Sequence, residues 1–248
     1  MELSIIIPVY NEENRLPRTL TQIFEYMSAN YSGEYEVIIA NDGSKDQTAA
    51  IVEESKKIHP QLRLINFPVN RGRGAAVRDT VFEAKGEFIL ETDGDGSTNE
   101  HAITAFLNYF ANNPEVDMLI GSRTIEGAKI LTPQPLLRVA LGYCFLFMAH
   151  ILFGWKLIDR VNGFKMFRRT AALDIFSNQY DNSFLAEGEI VFVAEARGWR
   201  VKELPIQWTD YRGSKINSLR DSWHSFFGMF TILQRHRQGL YTKNLKNQ

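Results

Sequence analysis

The chain has 248 residues, 44% hydrophobic and 23% charged, which suits one large α/β core with a C-terminal extension. Its single cysteine, Cys144, excludes an internal disulfide and a paired-cysteine zinc site, and fits a reducing, cytosolic setting. The net charge is −1, but residues 211–248 carry seven Lys/Arg against one acid, Asp221, leaving −7 on the residues before them. A basic tail on an acidic body points to an anionic partner, membrane lipid or a phosphorylated substrate ahead of nucleic acid.

Met1 leads straight into Leu3-Ser4-Ile5-Ile6-Ile7-Pro8, without the basic start and cleavage site of a secretory signal, so the first strand is expected there. Further short apolar runs follow at Glu36–Ala40, Leu62–Phe67, Glu87–Glu91 and Asp117–Ile120, with helix-like stretches between them. This alternation predicts βαβ units and a mainly parallel sheet covered on both faces.

Each run ends in polar residues: Pro8-Val9-Tyr10-Asn11-Glu12, then Asn41-Asp42-Gly43-Ser44, Asn70-Arg71-Gly72-Arg73-Gly74, Thr92-Asp93-Gly94-Asp95 and Gly121-Ser122-Arg123. Ligands of open α/β sheets bind at that edge. Asp46 or Ser44 reads as a helix cap, whereas Asp42, in the turn itself, is placed to accept a hydrogen bond from a base or a ribose hydroxyl. The Gly72/Gly74 pair lacks the third glycine of a dinucleotide fingerprint, which argues against a Rossmann oxidoreductase, yet a helix start beside Arg71, Arg73 and Arg78 suits an anion. Asp93 and Asp95, one residue apart beyond a buried strand, can converge on one hard divalent cation, Mg2+ or Mn2+, and leave positions for phosphate oxygens. Arg123, Arg168, Arg169, Arg212 and Lys215 are cations available to phosphates.

Residues 139–155 are almost wholly apolar. As a helix they would reach about 25 Å, short of the roughly 30 Å hydrocarbon core, so a buried or an in-plane interfacial helix is expected rather than a span. Near the C-terminus Leu219, Trp223, Phe226, Phe227, Phe230 and Leu233 recur at helical spacing among basic residues, the pattern of an interfacial helix or of one packed on the domain.

Taken in order, these fragments resemble the family 2 glycosyltransferases of the GT-A fold, and within them the branch of dolichyl-phosphate β-glucosyltransferases and dolichyl-phosphate mannosyltransferases. The resemblance runs from Ile5 to about Ser218. Downstream it rests on Asn162-Gly163-Phe164-Lys165-Met166-Phe167, on Glu187-Gly188-Glu189, and on Val201–Trp208 followed by Gly213-Ser214-Lys215. Asn41, Gly94 and Glu187 stand where an acid, an alanine and an aspartate are more usual.

The resemblance implies a catalytic domain over 1–215 and a basic amphipathic extension over 216–248. It implies a nucleotide-sugar site at Pro8, Tyr10, Glu12, Asp42, Arg71, Gly72 and Asp93, and a metal at Asp93 and Asp95. Arg123 and Lys215 would meet phosphates, and Glu187 would orient sugar or acceptor. The implied reaction is inverting transfer of a hexose from UDP-glucose, or from GDP-mannose, to a polyprenyl or dolichyl phosphate at the cytoplasmic face of a membrane. A phosphate monoester acceptor, with a second pKa of roughly 6, is already anionic and needs no strong base. A glycan hydroxyl acceptor would need one, and Glu187 would then supply it.

Overall fold

A computed structural model of the protein describes residues 1–132, 142, 147, 150–151, 159, 161–209, 211 and 218–242, with backbone alone over 218–227. Most of the apolar stretch 139–155, and Arg212 and Gly213-Ser214-Lys215, therefore lie outside the described residues.

The strands are β1 (Leu3–Val9), β2 (Tyr35–Asp42), β3 (Leu62–Phe67), β4 (Phe88–Glu91), β5 (Met118–Ser122), β6 (Lys129–Thr132), β7 (Lys165–Arg168), β8 (Val201–Pro205) and β9 (Gln207–Thr209). The described helices are α1 (Leu16–Asn30), α2 (Thr48–Ser55), α3 (Arg73–Glu83), α4 (His101–Asn112), α5 (Arg169–Ser177), α6 (Ala186–Ala196) and α7 (Ser218–Arg237). Seven strands form one sheet in the order β3-β2-β1-β4-β7-β5-β8, parallel except for β7, which runs antiparallel to both neighbours. Strands β6 and β9 pair separately.

The hydrophobic pattern explains why both faces are covered. On β1, Ile5, Ile7 and Val9 point into one core with Leu16, Leu20, Ile23, Phe24 and Met27 of α1 and Phe106 and Phe110 of α4. The spacing of the α1 residues keeps them on one helical stripe, and Pro17 fits the first turn, where its missing N–H costs nothing. Ile6 and Ile38 point the other way, into a core with Val77 and Val81 of α3, Ala171 and Ile175 of α5, and Ile190 and Val193 of α6. Alternate residues of a strand face opposite sides, so a continuous apolar run is what a sheet buried on both faces requires.

Two features depart from the expected pattern. The run Val201–Trp208, continuous in the resemblance, is two strands in different sheets. Pro205 offers no N–H to continue a ladder, and at Ile206 the backbone turns, donating to Ser122 O at 3.1 Å and accepting from Lys129 N at 3.0 Å. In α7, Met229 and Ile232 are buried in the α6-side core, while Phe230 is 44% exposed. The buried face is thus offset from the Phe230/Leu233 positions of the aromatic stripe. No described helix is long and apolar enough to cross a membrane.

The order of β1 and β4 positions the site. From β1 the chain builds outward to β2 and β3, then returns to place β4 on the other side of β1. The chain after β1 leads to α1 on one face and the chain after β3 to α3 on the other, and the loops at the carboxyl ends of the strands line a crevice at this reversal.

Candidate functional site

The crevice is walled on one side by interlocked loops after β1 and β2. Asn11, with φ of 55°, turns the chain sharply at the end of β1. It is held there because its N–H donates to Ser44 Oγ at 2.8 Å and its Oδ1 accepts from Lys45 N at 2.7 Å. Glu12 N donates to Thr48 Oγ1 at 2.8 Å. Asp46 Oδ1 accepts from Thr48 N at 3.0 Å at the start of α2, where Gln47 holds the N-cap position. Pro8 is buried, Tyr10 is exposed, and Glu12 makes a two-point ion pair with Arg15 at 2.5 and 2.6 Å.

Asp42 ends β2 and is buried. Its Oδ1 accepts from Arg71 N at 2.9 Å and its Oδ2 from Gly72 N at 2.8 Å. The carboxylate expected to await a nucleotide is thus engaged with the loop between β3 and α3, fixing Arg71 and Gly72 at the sheet edge. Gly72 adopts φ of 98°, and a Cβ there would lie 2.3 Å from Asn182 O, so only glycine fits this turn. Arg71 itself pairs with Asp79 at 2.7 Å and lies over the Phe67 ring.

The loop after β4 is fastened by α1. Thr19 Oγ1 donates to Gly94 O at 3.0 Å and Arg18 to Asp95 O at 2.8 Å. Asp95 Oδ1 accepts from Ser97 N at 2.9 Å, while Arg15 stands 3.9 Å from Asp95 Oδ2. Side chains of Asp93 and Asp95 are 36% and 25% exposed. Beneath them lies a charge cluster that the sequence did not announce. Arg73 reaches Asp93 Oδ1 at 3.0 Å, Glu91 at 2.9 Å and Glu187 at 2.8 Å. Lys165, fully buried on β7 opposite Glu91, pairs with Glu187 from the far side.

Electrostatics divides the carboxylates. Burial and the charge of Glu187 push the Glu91 carboxyl well above its ordinary range, with Arg73 and Lys165 opposing. Burial alone would raise Glu187, but Lys165 and Arg73 beside it hold it well below the usual carboxylate range. Asp93 is raised by burial and by repulsion from Asp95 and Glu187, with Arg73 opposing.

Glu187, expected to touch sugar or acceptor, is only 2% exposed and stands behind Arg73. Arg123, expected at a phosphate, makes a two-point pair with Asp159 at 2.6 and 2.7 Å and lies 5.1 Å from the Trp208 ring centroid. Arg168 donates to Val116 O at 2.8 Å and Arg169 to Ala84 O, both far from the crevice loops in the fold. Arg15, Arg18, Glu91 and Lys165 were not among the predicted site residues. The available signal was position: Glu91 is a charged residue inside a buried strand, two before Asp93.

Among the described residues no three or more His, Cys, Asp or Glu gather around one point as a closed metal cage, so Asp93 and Asp95 are the candidate oxygen ligands. Gly163 keeps space for this pair, since a Cβ there would lie 2.5 Å from Asp93 Oδ1 and 2.8 Å from the Arg73 guanidinium. Two mutually repelling carboxylates with hard oxygens and open coordination positions fit a Mg2+ or Mn2+ ion that also binds phosphate.

A mainly parallel sheet with one reversed strand and an acidic loop at its switch point is an α/β architecture with a ligand crevice at the carboxyl ends of its strands. The model of the family described as glycosyl transferase family 2 matches residues 4–176, and the chain belongs to that family. It is 33% identical over 227 residues to a dolichyl-phosphate beta-glucosyltransferase of Trichomonas vaginalis, covering 86% of this chain and 68% of that protein. It is 30% identical over 260 residues to the Saccharomyces cerevisiae protein of the same name, covering 98% and 78%, and 31% identical over 225 residues to the Homo sapiens one, covering 87% and 69%. Among solved structures, Mycobacterium tuberculosis glucosyl-3-phosphoglycerate synthase in complex with UDP superposes with a TM-score of 0.68 at 13% identity, over 94% of this chain and 80% of that one. The same enzyme with Mn2+, UDP-glucose and phosphoglyceric acid gives 0.66 at 13% identity, over 96% and 80%. S. aureus TarS with UDP-GlcNAc gives 0.61 at 18% identity, over 97% and 70%. These likenesses establish the GT-A fold expected from the sequence.

Proposed function

We propose that the protein transfers glucose from UDP-glucose to a dolichyl-type polyprenyl phosphate with inversion, using a divalent ion held by Asp93 and Asp95. The observation that carries this reading is the pairing of Asp93 with Arg73, two residues before Asp95 in the loop at the β1/β4 reversal, in a chain whose relatives are named for that activity. The ion would neutralise the departing diphosphate. Pro8, Tyr10 and Glu12 would line the nucleoside pocket, with Asp42 acting through the Arg71–Gly72 turn. Arg73 lies close enough to Asp93 to share in holding diphosphate charge, with Glu187 and Lys165 orienting it. Lys215 is assigned to the acceptor phosphate on the resemblance alone, and Arg123 could join it only by exchanging Asp159 for that phosphate.

The state of Glu187 favours a phosphate acceptor over a glycan hydroxyl. A carboxylate that is buried, doubly ion-paired and held well below its usual pKa is a poor proton acceptor. A phosphate monoester brings its own charge, so positioning and electrostatic stabilisation suffice. Exposed Phe147 and Ile151, and Phe230 on α7, support action at a membrane surface, for which we assign the cytoplasmic face.

Purified protein with Mg2+ or Mn2+, UDP-glucose and dolichyl phosphate should yield a lipid-linked glucose. Transfer from GDP-mannose instead would reassign the donor, and no transfer to any polyprenyl phosphate from either donor would refute the proposal.

A further inference from the structure

The first turn of α6 carries two buried glutamates that look in different directions. Glu187 faces Arg73, as described. Glu189, fully buried, faces a strap formed by residues 179–183 and the C-terminal segment beyond α7. Its two oxygens divide the work. Oε2 accepts from Tyr180 N at 3.0 Å and Asp181 N at 2.7 Å, both on the strap. Oε1 accepts from Arg235 at 3.0 Å and from the Tyr241 hydroxyl.

The strap is seated directly on the turn that presents Arg71 and Arg73. Asn182 O accepts from Gly74 N at 2.9 Å, Gln179 Nε2 donates to Gly74 O at 3.1 Å, and Arg78 donates to Asn182 Oδ1 at 3.0 Å. Turn and strap lie so close at Gly72 that even a Cβ there would sit 2.3 Å from Asn182 O. One carboxylate thus joins the C-terminal segment to the backbone that positions the donor-side arginines. Burying a carboxylate is costly, and four donors converging on its two oxygens account for its being tolerated here. The Tyr241 ring is also completely buried and packs on Phe192 and Tyr180, so the segment is anchored by shape as well as by hydrogen bonds.

We infer that Glu189 is a positioning residue that couples the seating of the Arg235–Tyr241 segment to the Arg71–Gly74 turn, so that loosening the segment loosens the donor site. The inference rests on the reading of that turn as part of a nucleotide-sugar site.

Amide hydrogen exchange on the full chain tests the coupling without substrate. In Glu189→Gln, peptides covering residues 70–75 should exchange about tenfold faster, while β1 stays protected, because the charge that ties strap to segment is lost. Tyr241→Phe, which removes one donor to Oε1 and keeps the ring that packs on Tyr180 and Phe192, should show the same localised change to a smaller degree. UDP binding to Glu189→Gln in the presence of Mn2+ should weaken several-fold in parallel. Unchanged exchange at 70–75, or a uniform rise that includes β1, would overturn the coupling. If Glu189→Gln does not fold, Tyr241→Phe decides on the same criterion. Wild-type protein that fails to bind UDP would overturn the proposed function, while the exchange pattern would still decide the coupling.

Discussion

Two buried glutamates sit at opposite ends of the same sheet, and their surroundings differ in kind. At the amino edge, Glu36 on β2 receives Ser4 Oγ at 2.6 Å, Lys85 N at 2.8 Å and the Arg63 guanidinium. Burial would raise its carboxyl, but Ser4, Arg63 and Lys85 together hold it below the ordinary value. At the carboxyl edge, Glu91 on β4 shares Arg73 with Glu187 and Asp93, and its Oε2 finds no donor among the described residues. Its carboxyl is driven up instead. One acid is satisfied by its neighbours and ties three strands together; the other is crowded by like charge beneath an open crevice. Full satisfaction marks a structural site, and unresolved charge marks a place prepared for a ligand.

The largest effects should come from the crowded edge. Asp95→Asn should lower sugar transfer on the order of 10³-fold, because the ion that would neutralise the departing diphosphate loses one of its two carboxylate ligands. Its melting temperature should stay close to wild type, since the side chain is a quarter exposed. Arg73→Gln should combine loss of transfer with destabilisation of roughly 3 kcal/mol, because removing one partner of a buried ionic cluster strands the others. A calorimetric scan beside the activity assay separates these two effects, and an Arg73→Gln protein as stable as wild type would break the account of the cluster.

The paired edges sharpen the contrast at smaller scale. Glu36→Gln should cost about 2 kcal/mol at pH 7, the value of charge-assisted hydrogen bonds left unmet. Glu91→Gln should cost less than about 1 kcal/mol, because the amide keeps an oxygen for Arg73 and relieves the repulsion from Glu187 that drives the native carboxyl up. Denaturant melts of the two variants would invert the comparison if Glu91→Gln proved the more damaging. The pH dependence follows from the direction of the Glu36 shift. Its folded pKa lies below the unfolded value of roughly 4.3, so its stabilisation is complete above that value and fades as pH falls through it toward the folded pKa. The stability gap between wild type and Glu36→Gln should therefore narrow between about pH 5 and pH 3.

Parallel strands β1 to β5 were legible because a doubly covered sheet demands unbroken apolar runs, and the polar clusters after them fell where α/β ligand sites lie. The acidic pair was legible for the same reason. Strand β7 was harder to place: Lys165, fully buried, interrupts its apolar pattern and is tolerated only because Glu187, 22 residues on, meets it. For Asp42 and Glu187 the sequence did not show the direction in which each side chain looks. Asp42 faces the backbone of the β3–α3 loop and Glu187 faces Arg73, and neither partner is local in sequence. Long-range side-chain pairing is set by tertiary packing, which spacing along the chain does not encode.

The most direct test of the central claim is Mn2+ binding followed by electron paramagnetic resonance, with and without UDP, in wild-type protein and in the Asp93→Asn/Asp95→Asn variant. The account predicts that wild type holds the ion with UDP together and that the variant, still folded, loses this binding. A variant that retained wild-type affinity for Mn2+ and UDP would contradict it.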